Sequence, residues 1–187
     1  MSASPRAVRA ARRVVVGEGI ESAPVPVQKI ARKYAHLMYE TLPDDVSGML
    51  LPLPSEARER RWAIVVNEAH APVRQRFTIA HELGHLLLHR YTTPHADGKF
   101  VVRFRNERSS KGSDREEVEA NQFAAELLMP GRLVLAQATK LGLDLGDSDA
   151  DAATGKLTRV LGRLAVKFEV SVQAISFRLA NLPEVAL

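Results

Sequence analysis

Arg74-Gln75-Arg76-Phe77-Thr78-Ile79-Ala80-His81-Glu82-Leu83-Gly84-His85-Leu86-Leu87-Leu88-His89 decides how the rest of this 187-residue chain is read. On an α-helix, residues four apart share nearly one face, so His81 and His85 direct two imidazoles at one point. Neutral imidazole is a good ligand for divalent zinc. Glu82 lies to the side of that pair, where its carboxylate is placed to take a proton from water, the arrangement expected of a zinc metalloprotease. Pro72 suits a first helical turn, where its missing N–H has no intrahelical partner to lose. Phe77, Ile79, Ala80, Leu83, Gly84, Leu86, Leu87 and Leu88 make the segment apolar on most of its circumference, which predicts a buried helix. Histidines and a glutamate carried into such a helix must be paired, hydrogen-bonded or metal-bound, because an unpaired buried charge is costly. The competing explanation is two hydrogen-bonded core histidines beside a chance glutamate. The metal reading wins if a third ligand exists.

That ligand is sought on a second helix. Ser113-Asp-Arg-Glu116 has the form of a capping box, and the helix it opens runs to Met129 before Pro130. Ala120, Phe123, Ala124, Leu127 and Leu128 form its apolar stripe, which Glu117 continues by one turn. Glu119 is rotated by about 200° from Glu117, nearer Glu126, on a face expected to be more exposed. Glu117 is therefore the candidate third ligand, with Glu116 and Glu119 as alternatives. The non-functional alternative for Glu117 is a solvated first-turn carboxylate stabilised by the helix dipole. His89 extends the histidine row by a turn, but three histidines in line cannot converge well on one tetrahedral ion. It is expected to pack or hydrogen-bond nearby.

Composition limits the other readings. Hydrophobic residues make up 45% of the chain, enough for a sizeable core. With no cysteine there is no disulfide framework and no thiolate ligand, so a metal must be held by His, Asp or Glu. The net charge of +4 is too small an excess to argue nucleic-acid binding by itself. Arg6, Arg9, Arg12 and Arg13 precede Val14-Val15-Val16, but that apolar run stops at Gly17, short of the roughly 7–15 residues of a secretory signal. Nothing approaches the ~20 apolar residues of a membrane span. No membrane association and a cytoplasmic location are expected.

Along the chain, Pro5 to Val16 reads as a basic helix broken at Gly17-x-Gly19, and Val27 to Met38 as a second helix carrying Ile30, Tyr34 and Leu37. Gly48 to Leu53 and Trp62 to Asn67 read as strands around a charged hairpin loop. Lys99 to Arg105 alternates as an edge strand, and Asn106 to Gly112 is a polar connection. Helices follow at Gly131–Leu141, Lys156–Phe168 and Val172–Leu182, with Leu143–Gly155 a loop or a short solvated helix. The expected organisation is a basic helix and linker over 1–23, a core over 24–142, and a C-terminal helical segment over 143–187.

With these residues in place the chain resembles the ImmA/IrrE family of metallo-endopeptidases. The resemblance rests on Arg74-x-Arg76-Phe-Thr-Ile-Ala-His81-Glu-Leu-Gly-His85-Leu-Leu-Leu-His89, on Glu117-x-Glu-Ala-Asn121-x-Phe-Ala-Ala-Glu-Leu-Leu-Met-Pro130, and on Val65-Val66-Asn67. It implies an α+β, zincin-like metallopeptidase domain, mostly helical with a small antiparallel or mixed sheet. It further implies zinc held by His81, His85 and Glu117 in a gluzincin-like set, with Glu82 as general base. Similar proteins cut helix-turn-helix repressors or sit in toxin–antitoxin pairs, so the implied partner is a helix-turn-helix repressor or antitoxin.

Two functions follow from these residues. The first is zinc-dependent hydrolysis of a peptide bond in a protein substrate, with Asn121 hydrogen-bonding a ligand imidazole. The alternative uses Leu164 to Leu179, spaced like a helix-turn-helix, as a DNA- or repressor-binding module with a latent metal site. More often that spacing is just two packed helices, and direct nucleic-acid binding is the weaker reading.

Overall fold

The computed structural model describes residues 4–53, 62–89, 95–98, 110–143 and 150–182, with side chains described at all of these except 95–98, 110–114 and 150–154. In chain order the elements are α1 (Pro5–Gly17), α2 (Val27–Ala31), β1 (His36–Glu40), β2 (Val46–Pro52), β3 (Trp62–Asn67), α3 (Pro72–Leu88), β4 (His95–Gly98), α4 (Ser110–Leu128), α5 (Gly131–Lys140), α6 (Ala150–Phe168) and α7 (Val172–Ala180). The strands form one mixed sheet in the order β1-β3-β2-β4. β3 is antiparallel to β2, with Gly48 opposite Val66 and Leu50 opposite Ile64. β1 runs parallel to β3, from His36 opposite Ala63 to Glu40 opposite Asn67. The architecture is α+β, as the sequence predicts.

The helix α3 lies against β2 and β3 on one side and against α4 on another. Ile79, Leu83, Phe123, Leu127 and Leu128 are fully buried where these elements meet, together with Leu50, Ile64 and Val66 of the sheet. Each such side chain contributes about 1.5–3 kcal/mol by leaving water, which makes this junction the centre of the domain. Asn67, also fully buried, holds the turn that leads into β2. Its Nδ2 donates to the carbonyls of Leu42 (3.2 Å), Pro43 (3.3 Å) and Val46 (2.9 Å), and its Oδ1 accepts from the Ala69 N–H at 3.1 Å.

α1 packs on α4 through Ala7, Ala10, Ala11, Val14 and Val15, whose small side chains allow a close approach. It ends where Gly19, at φ 61°, lets Ile20 N–H reach the Val15 carbonyl at 3.0 Å, a Schellman closure. α6 ends the same way, with Val170 N–H on the Ala165 carbonyl at 3.0 Å, but the left-handed position is Glu169 at φ 52°.

Five expectations change, the first being that α6 begins at Ala150, so that 150–155 belong to the helix expected only from Lys156. The helix expected over Val27–Met38 stops at Ala31, and its second half becomes β1, because pairing with β3 satisfies that backbone and overrides a local 3.6-residue pattern. β4 at His95–Gly98 was not expected and is antiparallel to β2, while the strand expected at Lys99–Arg105 and the loop at Ser55–Arg61 lie outside the described residues. α4 starts at Ser110, so Ser113 is inside the helix and does not cap it. Glu119 and Glu126, placed on a more exposed face, are 3% and 2% exposed because α1 covers that face. The helix supplies the counter-charges: Arg6 lies 3.6 Å from Glu119, and Arg12 bonds Glu126 at 3.0 Å.

Candidate metal centre

His81 and His85 are one turn apart on α3, and both are buried. Their Nε2 atoms are 2.9 Å apart, with the ring planes at 75°. The carboxylate of Glu117 closes the triangle, with Oε2 at 3.3 Å from His81 Nε2 and Oε1 at 3.4 Å from His85 Nε2. Glu117 can arrive because α3 and α4 approach closely at Gly84. A Cβ at Gly84 would stand 3.2 Å from Ala120 Cα, so the missing side chain sets the helix separation one turn from Glu117.

The spacing fits a metal ion. Ligand atoms about 2.0–2.1 Å from a tetrahedral zinc stand roughly 3.3–3.4 Å from each other. Two of the three observed separations match this, and the third would open by a few tenths of an ångström. Two imidazoles and one carboxylate form a donor set suited to zinc. Among the described residues, these three are the cluster able to hold an ion.

Asn121 Oδ1 lies 3.1 Å from His81 Nδ1, in position to accept its N–H. With Nδ1 as the donor in that bond, Nε2 is the nitrogen that could ligate a metal. Glu82 is fully buried beside β2. A Cβ at Gly48 would come within 3.7 Å of Glu82 Cγ and only 2.4 Å from Thr78 Cγ2, so glycine lets the strand pass over this part of the helix.

His89 stands apart from the ligand triangle, its ring centroid 5.5 Å from that of His85. Burial holds its pKa below the ordinary value, against the opposing pull of Glu116 and Glu119, and Arg6 adds to the lowering. Of the alternative ligands, Glu119 is engaged with Arg6, the Ser4 hydroxyl (3.1 Å) and Arg115 (3.5 Å). The sequence reading missed Gly48 and Gly84. A glycine inside a strand pattern is a recognised sign of close approach by another element, and that signal marked Gly48.

A buried helix bearing His-Glu-x-x-His against a mixed sheet, with a carboxylate supplied by a second helix, defines a zincin-like domain. Residues 36–180 match the family model Peptidase_M78, the IrrE N-terminal-like domain, and the chain belongs to that family. It is 40% identical over 76 residues to "Uncharacterized immunity region protein 2" of Bacillus phage phi105, a match covering 41% of this chain and 43% of the phage protein. The fold is similar to that of a "Mycobacterium tuberculosis transcriptional regulator", with a TM-score of 0.59 and 18% identity, over 97% of this chain and 48% of that one. The matches thus span less than half the length of either relative. Family membership supports a metallopeptidase-type or regulatory role. Among the described residues no helix is long and apolar enough to cross a membrane.

Proposed function

We propose that the protein is a zinc-dependent endopeptidase that hydrolyses a peptide bond in a helix-turn-helix repressor or antitoxin and so relieves repression. The observation that carries this reading is the meeting of His81, His85 and Glu117 within ligand distance of one another, with Glu82 adjacent on the same helix. His81, His85 and Glu117 would hold the ion. When bound, zinc supplies Lewis acidity that acidifies water and polarises a peptide carbonyl. Glu82 takes the proton of the attacking water on its carboxylate and passes it to the departing amine. Asn121 keeps the His81 ring oriented. The name of the phage relative, an immunity region protein, supports a regulatory substrate.

The test uses the zinc-loaded chain and purified helix-turn-helix repressors, taken first from any such gene that neighbours its own. The parent should cut one of them at a defined bond, and Glu82→Gln should bind zinc equally but not cut. Equal cleavage by Glu82→Gln would overturn the mechanism, and failure of the parent to retain zinc would overturn the ligand assignment.

The alternative, DNA reading by α6 and α7, loses support from the placement of Arg178. Its guanidinium is bonded to Glu126 and, at 3.0 Å, to the Met129 carbonyl. The exposed side chains of α7 include Val172, Gln173, Ser176 and Phe177, none of them basic.

A further inference from the structure

We propose that β1 is the edge through which two copies of this chain associate. Their β1 strands pair antiparallel about a two-fold axis at Met38, joining the two sheets into one. β1 is the outer strand of the order β1-β3-β2-β4. The Glu40 carbonyl accepts the Glu68 N–H at 3.0 Å, so Glu40 turns its backbone groups toward β3. Strand residues alternate, so His36 and Met38 do the same, while Leu37 and Tyr39 turn N–H and C=O away from the sheet. Those outward groups have no hydrogen-bond partner among the described residues. An edge of this kind templates a further strand unless lysine, proline, a bulge or a covering element blunts it. The sequence His36-Leu-Met-Tyr-Glu40 has no lysine or proline, and its register on β3 is continuous. It is also uncovered, with Met38 43% and Tyr39 36% exposed.

A second copy is the occupant because the strand is complementary to its own reverse. Set Leu37 opposite the partner's Tyr39, and the outward groups of each residue close two N–H···O bonds, on both sides of the axis. That register places Met38 against the partner's Met38 and the His36 imidazole against the partner's Glu40 carboxylate. These are the non-hydrogen-bonded positions, where opposing side chains lie closest. His36, Met38 and Glu40 share the solvent-facing side of the sheet, and all are exposed. On the other side Leu37, which leans on the core, meets the partner's Tyr39 ring. Sliding the pair by two residues shortens the overlap and separates His36 from Glu40. An unrelated strand could supply the backbone bonds but not this reversed charge match.

A five-residue pairing is a small interface, so the dimer should dissociate on dilution. Sedimentation equilibrium of the full chain from about 1 to 500 μM reads that transition. His36→Glu faces the partner's Glu40 twice across the axis and should weaken the dimer by about tenfold or more. Adding Glu40→Lys to the same chain should restore it. Both residues are exposed, so neither change threatens the fold. The chain has no cysteine, so Met38→Cys introduces a single thiol. Its Cα would stand about 4.5 Å from its counterpart, within disulfide reach, and mild oxidation should link the copies. His36→Cys would put its thiols roughly 13 Å apart and should not link. A chain still monomeric at about 500 μM would leave this edge to a strand of another protein and overturn the proposal. Equal association by His36→Glu, or equal crosslinking by the two cysteine variants, would overturn it as well.

Discussion

Replacing Gly84 by alanine puts a carbon 3.1 Å from Phe123 Cδ1 and 3.2 Å from both Ala120 Cα and Phe123 Cβ. Carbon atoms rest at about 3.5–4.0 Å, so α4 must withdraw from α3 by several tenths of an ångström. One of the contacts is backbone and cannot rotate away. The same change at Gly162 of α6 meets nothing within 4 Å. Alanine is favoured over glycine in a helix interior by about 0.8–1.0 kcal/mol, and overpacking costs about 1–3 kcal/mol. Gly162→Ala should therefore stabilise the protein by close to the first amount, whereas Gly84→Ala should destabilise it by about 1 kcal/mol net. Zinc should report the same displacement. Glu117 moves with α4, and a zinc site tolerates about 0.2 Å in ligand distance, so affinity should fall by about tenfold. Urea unfolding of the two variants and chelator competition for zinc measure both effects. If Gly84→Ala gained stability as Gly162→Ala does and kept its zinc affinity, the helix approach that brings Glu117 to the histidines would be refuted.

Asn121→Ala should weaken zinc binding by about 10–100-fold while leaving unfolding in urea nearly unchanged, since the lost bond orients His81 and supports little else; equal chelator competition by the two proteins would dismiss the role. Arg178→Ala should cost about 2–3 kcal/mol in unfolding free energy. Losing one partner of a buried pair costs about 3–5 kcal/mol, and here Arg12 remains on Glu126 to offset part of it. No stability loss in urea would show that α7 is not anchored through this pair. The pKa of His89 is lowered in the folded protein, so the unfolded chain binds its proton more readily. Its contribution to stability is then complete above the ordinary value of about 6.5 and declines as pH falls below it. His89→Gln should flatten that part of the stability–pH curve, as unfolding titrations from neutral to mildly acidic pH would show.

Local patterns carried much of the site. The buried helix α3, the strand Trp62–Asn67 and the turn-by-turn placement of Glu117 follow from helical and alternating periodicities that residues impose on their immediate neighbours. The Asn121 contact was legible for the same reason: it lies one turn beyond Glu117 on the same helix face. The second half of the predicted Val27–Met38 helix was misread because Ile30, Tyr34 and Leu37 satisfy a helical period, whereas the edge of β3 that makes this segment a strand lies some 25 residues away in sequence. Glu119 and Glu126 were misplaced because what covers them is α1, more than 100 residues earlier.

By itself, then, the sequence determined which side chains could act as ligands and base, because the pitch of a helix turns a spacing of four into a shared face. The tertiary structure decided that they meet. Convergence of His81, His85 and Glu117 depends on the distance between two helices, which is governed by the absence of a side chain at Gly84 and by the packing of Ala120 and Phe123 against it. Such distances are set by close packing between segments far apart in the chain, and no periodicity within either segment encodes them.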